Sequence, residues 1–164
     1  MDWEGKVAVG GVLCAATGQA LAPGSPCVSA LAAAEAGRFE RRDFSPDAWK
    51  TQDPERFLSW WRRIIPPPQA KAAKLDPAVL RQIYTDLRDR EDPRQRALAY
   101  LCVLALVRLK AYRLLRIERP GDGTSRMVVV ERGSTTELTV PEPALSATDQ
   151  QALLDDLMTV LSGT

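Results

Sequence analysis

The chain has 164 residues and a formal net charge of +1, with 45% hydrophobic and 26% charged residues. This is the composition of a folded globular protein, and a net charge near zero excludes a global field that attracts nucleic acid or membranes. There is no histidine, which removes the commonest general base and metal ligand, and the three cysteines are too few for a disulfide framework. We therefore expect a protein of a reducing, cytoplasmic compartment.

Residues 1–50 are predicted to form a small β-rich N-terminal subdomain. Val7 and Val9, the stretch 12–14 and the stretch 27–31 supply strand-forming residues between glycine- and proline-containing turns. Residues 32–36 are alanine-rich and compatible with a helix. A hairpin is favoured because apolar and polar residues alternate after Gly37.

The apolar stretch from Val7 to Ala22 is not expected to be a signal peptide. Asp2 and Glu4 flank it, whereas the corresponding region of a signal peptide is basic.

Capping residues stand directly before a proline at four places: Ser45-Pro46, Asp53-Pro54, Asp76-Pro77 and Asp92-Pro93. The capping oxygen accepts an otherwise unpaired N–H, and proline has no N–H to lose at the first helical position. These four cap–proline pairs predict four helix starts, and a capping-box pattern from Ser146 to Asp149 predicts a fifth.

The helix predicted from Pro54 carries its apolar residues at helical spacing, namely Phe57, Trp60, Trp61, Ile64 and Ile65. The triple proline 66–68 is predicted to end this helix and to form a stiff spacer.

Residues 53–164 are predicted to form a helical and antiparallel-sheet domain, and the alternative is one domain continuous with residues 1–50. The run 97–107 is apolar all round and predicts a buried central helix; it would span only about 16 Å, about half of a bilayer core. Three strands at 112–118, 126–131 and 136–140 form a meander, and a C-terminal helix closes the chain. The predicted class is therefore α+β, and no membrane partner is expected.

The segment from Cys14 to Gly18 has the outline of a zinc knuckle, with Thr17 in place of the second cysteine. A structural zinc site needs four ligands, and the chain offers only Cys27 and Cys102 besides Cys14. We interpret the segment as a degenerate zinc knuckle and expect neither a metal nor a cofactor.

Several motifs together resemble a family of bacterial proteins with no established activity. They are Cys14-x-x-Thr17-Gly18, Ser29-Ala30-Leu31, Phe39-x-Arg41-Arg42-Asp43-Phe44-Ser45-x-x-Ala48-Trp49 and Trp61-Arg62. The resemblance covers most of the chain and implies an architecture without a function. An aromatic residue often stands at the position of Cys27 in such sequences, which weakens that cysteine as a ligand.

Two basic clusters lie beside aromatic residues. The arginines are Arg38, Arg41, Arg42, Arg62 and Arg63, and the candidate binding residues are Arg41, Arg42, Trp49, Arg62 and Arg63. Arginines with neighbouring aromatics are typical of phosphate or nucleic-acid surfaces. The alternative, which we favour, is that nearby acids pair with the arginines and that the tryptophans belong to the core.

No catalytic constellation is visible in the sequence, and the central helix lacks the polar face that a DNA-recognition helix needs. We expect a non-enzymatic interaction module or small adaptor whose partner is another protein. Non-specific nucleic-acid or phosphate binding through the basic clusters is the first alternative, and an enzyme of unrecognised type is the second.

Overall fold

The computed structural model describes residues 12–65 and 75–161, and its helices and antiparallel sheets confirm the α+β class. The strand expected at Val7 and Val9 and the triple-proline spacer lie outside the described residues. The chain forms two compact units, one of Met1–Leu75 with Asp155–Thr164 and the other of Asp76–Leu154.

The first unit contains a two-stranded hairpin and a three-stranded antiparallel sheet. The hairpin strands are β1 (Val12–Leu13) and β2 (Ala20–Leu21), and the sheet strands are β3 (Pro26–Ala33), β4 (Phe39–Phe44) and β5 (Ser59–Ile64). The sheet order is β4-β3-β5, so β3 is its central strand.

The connection between β3 and β4 confirms the hairpin over the helix at residues 32–36. Ala36 and Gly37 both have positive φ, 56° and 70°, which turns the chain back on itself and stops helical propagation. Ala33 then pairs with Phe39, and the register continues without a break to Val28 and Phe44.

The helix predicted from Pro54 is wrong. Asp53 does cap a turn there and accepts a hydrogen bond from the Glu55 N–H at 3.0 Å, but the turn is a single 3-10 turn over Pro54–Arg56. The chain then enters β5, whose side chains alternate between buried and exposed. The apolar residues taken for a helical stripe therefore lie on both faces of a strand.

The cap before Pro46 also starts only one turn, the helix α1 (Pro46–Trp49), in which Ser45 accepts from the Ala48 N–H at 3.2 Å. A cap stabilises the first turn of a helix, whereas length depends on the packing of later turns.

The second unit has longer helices and a second antiparallel sheet. Its elements are α2 (Pro77–Leu87), α3 (Pro93–Arg108), β6 (Tyr112–Glu118), β7 (Arg126–Glu131), β8 (Glu137–Pro141) and the first half of α4 (Ala147–Leu161). Strand β7 is central, and the side chains from Met127 to Val130 are all buried.

Helix α3 is the predicted central helix. Its interior positions are buried on more than one side: Ala97, Leu98, Ala99, Leu101, Cys102, Val103 and Leu106. Asp92 caps it by accepting from the Arg94 N–H at 2.8 Å. In the part of the chain that the structure describes, no helix has the length and apolarity needed to cross a bilayer.

Candidate interaction surface

Strand alternation divides the candidate arginines between two faces of the first sheet. On β4, Arg41 and Arg42 are neighbours in sequence and therefore point to opposite faces, as do Arg62 and Arg63 on β5. We call the two sides the Asp43 face (Cys27, Ser29, Arg41, Asp43, Trp61 and Arg63) and the Trp60 face (Val28, Ala30, Arg42, Phe44, Trp60, Arg62 and Ile64).

The Asp43 face carries a buried polar cluster around the Asp43 carboxylate. Ser29 Oγ donates to Asp43 Oδ1 at 2.5 Å, and Arg63 Nε donates to Ser29 Oγ at 2.7 Å. The guanidinium groups of Arg41 and Arg63 lie 3.1 and 3.3 Å from the same carboxylate oxygen. Every polar atom of the pair Ser29 and Asp43 therefore faces a partner inside the sheet.

This cluster explains what Arg41 and Arg63 do in the fold. Burial lowers the pKa of the Arg41 guanidinium, and the nearby Asp43 carboxylate opposes that shift. A buried charge needs a counter-ion, and Asp43 is the counter-ion for both arginines. Ser29 is fully buried, so its hydroxyl has no access to a substrate.

The same face binds the end of helix α4. Arg41 Nη1 donates to the Val160 carbonyl at 2.9 Å, and Arg38 Nε donates to Asp156 Oδ1 at 2.7 Å. The Phe39 N–H also donates to Asp156, at 3.2 Å. Asp156 is only 1% exposed, and these contacts make it a buried anchor for the C-terminal helix.

The Trp60 face begins in an aromatic cluster. Trp49, at the end of α1, lies 5.4 Å from both Phe44 and Trp60 and 5.5 Å from Phe57, measured between ring centroids. Phe44 and Phe57 are buried, Trp49 is half-buried, and Trp60 is 36% exposed. Trp49 is therefore a bridge between the core and the exposed ring of Trp60.

Beyond Trp60 the face is open to solvent. Arg62 is exposed, and the structure shows no ion pair for it among the described residues. Ile64 is 60% exposed, which is unusual for a β-branched residue on a strand. Arg42 is paired with Glu40 on its own strand, at 2.9 Å from Nε to Oε1.

Strand β5 is also an edge strand, since β3 is its only neighbour in the sheet among the residues described. The Ile65 N–H bonds the Ser25 carbonyl at 2.9 Å, so the main chain of Ile65 is directed toward the β3 side. Alternation along an antiparallel strand then directs the main-chain groups of Trp60, Arg62 and Ile64 outward. The residues with exposed side chains thus also present main-chain groups that no other described strand pairs.

The segment from Cys14 to Gly18 forms a hydrogen-bonded turn. The Gly18 N–H donates to the Cys14 carbonyl at 2.8 Å, and Gly18 has a positive φ of 71°. Burial raises the pKa of the Cys14 thiol. Hydrogen bonds from the Thr17 hydroxyl and the N–H groups of Ser45, Thr17 and Ala16 lower it by more, to about 7.

The zinc-knuckle interpretation of this segment finds no support in the structure. Across residues 12–65 and 75–161, no three His, Cys, Asp or Glu side chains lie close enough to hold a metal ion. Cys14 packs with Ala30 and Phe44 on one side of the sheet, whereas Cys27 lies beside Ser29 and Arg63 on the other. Two thiols on opposite faces cannot bind one ion.

Sequence reasoning missed two members of these faces. Ile64 was assigned to a buried helical stripe, and Ser29 was noticed only as part of a motif. Assigning residues 59–64 to a strand would have identified Ile64, because neighbouring residues of a strand point to opposite faces and Ile64 is thereby separated from Ile65. The pairing of that strand with β3 would then have identified Ser29, which lies opposite Asp43 and Trp61.

Comparisons of the chain with protein-family models, curated proteins and solved structures find no match.

Proposed function

We propose that the chain is a non-enzymatic interaction module that adds an extended segment of a partner protein to the edge of its first sheet. The observation that carries the proposal concerns Trp60, Arg62 and Ile64, whose side chains are exposed and whose main-chain groups lie on the edge of β5 that no other described strand covers. Strand addition uses these two features together, since main-chain hydrogen bonds supply affinity and alternate side chains supply specificity.

The side chains define the partner's chemistry. Trp60 and Ile64 offer apolar contact area on either side of Arg62, whose guanidinium is available for a carboxylate. The fitting segment is an extended peptide with an Asp or Glu between two apolar residues that point to the same side. Six residues of β5 span about 20 Å, which is enough for such a segment.

The charge distribution favours a peptide over a nucleic acid. Arg41 and Arg63 share Asp43, Arg42 is paired with Glu40, and Arg38 is paired with Asp156. Of the five arginines in the two basic clusters, Arg62 alone has no acidic partner among the described residues. One free cation neutralises about one phosphate. The binding constant for a nucleic acid would then fall with only about the first power of the salt concentration.

The test is a selection from displayed peptides against the full chain, followed by affinity measurements on the enriched sequence. We expect apolar-x-acidic-x-apolar sequences, with affinity lost when a central residue is replaced by proline, because proline removes a main-chain donor. Ile64→Asp should weaken binding at least tenfold. Leu115→Asp, on the exposed part of β6, is the matched control and should leave binding unchanged.

Two outcomes would contradict the proposal. One is the absence of any enriched sequence, and the other is an enriched peptide whose affinity is indifferent to both the proline and the Ile64 substitution. Binding of single-stranded oligonucleotides that depends on Arg41 and Arg63 would favour the nucleic-acid alternative instead.

A further inference from the structure

The second unit contains a cleft of about 380 Å³ that the proposed interaction surface does not include. Helix α2 contributes Tyr84 and is followed by its C-cap residue Arg88, and helix α3 contributes Arg96 and Tyr100. In each pair the two residues are four apart, and Arg88 keeps a right-handed helical backbone as the C-cap, so both side chains of a pair lie on the same side of the helical backbone. The segment 140–145 closes the cleft as its third wall.

The walls of the cleft are fixed by the fold. Tyr84, Ala99 and Val140 are buried at 6%, 2% and 3% exposure and form an apolar floor. The Glu142 N–H donates to the Ser125 carbonyl at 2.8 Å, and Pro141 and Pro143 restrict the backbone on either side of Glu142. Because the walls are preorganised, little binding free energy is lost in ordering them when a ligand binds.

The cleft holds two opposite charges that do not pair with each other. Neither Arg96 nor Glu142 forms an ion pair among the residues that the structure describes, although both line the cleft. Arg88 is already engaged, since its Nε lies 3.2 Å from Asp89 and its guanidinium lies 5.9 Å from the Tyr84 ring centroid. Arg96 and Glu142 are therefore the charges available to a ligand.

A ligand that carries a single charge would satisfy one of these groups and bring no partner for the other. A ligand with a carboxylate and an ammonium group satisfies both, and an aromatic or aliphatic body fits against Tyr84 and Tyr100. The volume is that of a small-molecule site. We propose that this cleft binds a small zwitterion of the amino-acid class, with its carboxylate on Arg96 and its ammonium group on Glu142.

Three probes separate the contributions of the two charges. Phenylalanine carries both groups, phenylacetate lacks the ammonium group, and phenethylamine lacks the carboxylate. Each is titrated into the full chain at millimolar concentration while amide proton–nitrogen correlation spectra are recorded. Phenylalanine should bind about three- to tenfold more tightly than either single-charge probe, with shifts at residues lining the cleft.

Substitutions assign each charge to its residue. In Arg96→Gln, phenylalanine should bind only as well as phenethylamine binds the unmodified chain. In Glu142→Gln, it should bind only as well as phenylacetate. Arg108→Gln, an exposed arginine on α3 outside the cleft, is the control and should leave all three affinities unchanged.

The proposal would be overturned by any of three results: no shifts around the cleft, equal binding of phenylalanine and either single-charge probe, or equal losses in the Arg96 and Arg108 variants. Because the variants change exposed side chains, unchanged spectra away from the cleft establish that they are folded.

Discussion

Replacing Asp43 by Asn tests the role of the buried cluster on the first sheet. The substitution keeps the size of the side chain but removes the charge that balances Arg41 and Arg63, whose side chains are only 9% and 17% exposed. Breaking a buried ion pair by removing one partner costs about 3–5 kcal/mol. We expect about 3 kcal/mol, at the lower end, because Arg63 keeps its hydrogen bond to Ser29.

The assay is urea denaturation followed by tryptophan fluorescence. Trp49, Trp60 and Trp61 belong to the first unit and no tryptophan occurs in residues 76–154, so the signal does not report the second unit. A loss of about 3 kcal/mol is a large part of the 5–15 kcal/mol that stabilises a typical domain. The double variant Arg63→Gln, Asp43→Asn should lose less unfolding free energy than the sum of the losses in the two single variants. The reason is that Arg63→Gln removes one of the charges that Asp43→Asn leaves unpaired.

The control is Glu40→Gln, which breaks the exposed pair with Arg42 and should cost at most about 0.5 kcal/mol. The account of the Asp43 face would be refuted if Asp43→Asn cost no more than this control.

Four further predictions concern other parts of the molecule. The Cys14 thiol has a folded pKa of about 7 against an ordinary value of 9.0, so its ionisation stabilises the fold above about pH 9, and this contribution disappears as the pH falls through 7. Two pKa units set a limit of about 2.7 kcal/mol. The residues after Cys14 are exposed, so we expect solvent screening to reduce this contribution to about 1 kcal/mol. The measurement is the difference in unfolding free energy between the unmodified chain and Cys14→Ala as a function of pH. A difference that does not change with pH would contradict the prediction. Burial raises the pKa of the Cys102 thiol, so this cysteine should resist thiol reagents at pH 8 until the second unit unfolds, and mass spectrometry showing labelling at the same rate as an unfolded peptide would contradict it. Leu98→Ala should cost about 3–5 kcal/mol in thermal unfolding followed by circular dichroism, because Leu98 is fully buried, whereas the control Leu115→Ala at 38% exposure should cost less than about 1 kcal/mol. Asp156→Asn should accelerate amide hydrogen exchange at the end of α4, since it weakens the contacts to Arg38 and Phe39, and unchanged exchange over residues 155–161 would show that these contacts do not hold the helix.

The parts of the fold that were predictable from sequence rest on local chemistry. Each of the four capping residues before a proline accepts a main-chain hydrogen bond at the start of a helical turn, as at Asp76 and Asp92. The apolar run of α3 has too few polar residues to lie on a surface, and glycine-containing turns at Gly123 and Gly133, both with positive φ, separate the strands of the second sheet. These signals lie within a few residues of one another.

Strand β5 shows where local chemistry is insufficient. Its apolar residues fit a helical spacing, but the burial of Ser59 and Trp61 and the exposure of Trp60, Arg62 and Ile64 follow the two-residue period of a strand. Pairing with β3 decides between the two, and that pairing joins residues more than 25 positions apart. The contact of Arg38 with Asp156 spans 118 positions and has no local signal at all.

The candidate arginines were found from sequence, but their division was not. Arg41 and Arg42 look equivalent in a basic cluster, and only the strand direction places one inside with Asp43 and the other beside Glu40. The same holds for Arg62 and Arg63. Because residues 59–64 were predicted as a helix and not as a strand, the surface that we propose as functional could not be recognised from sequence.

A charge exchange at Arg62 tests the proposed binding edge most directly. The selected peptide is prepared with its central acidic residue intact or replaced by Lys, and both forms are titrated against the unmodified chain and against Arg62→Glu. The account predicts that each peptide prefers the chain of opposite charge at residue 62, by about fivefold or more, and that Lys50→Glu changes neither affinity. Peptide affinities that do not respond to the charge at residue 62 would contradict it.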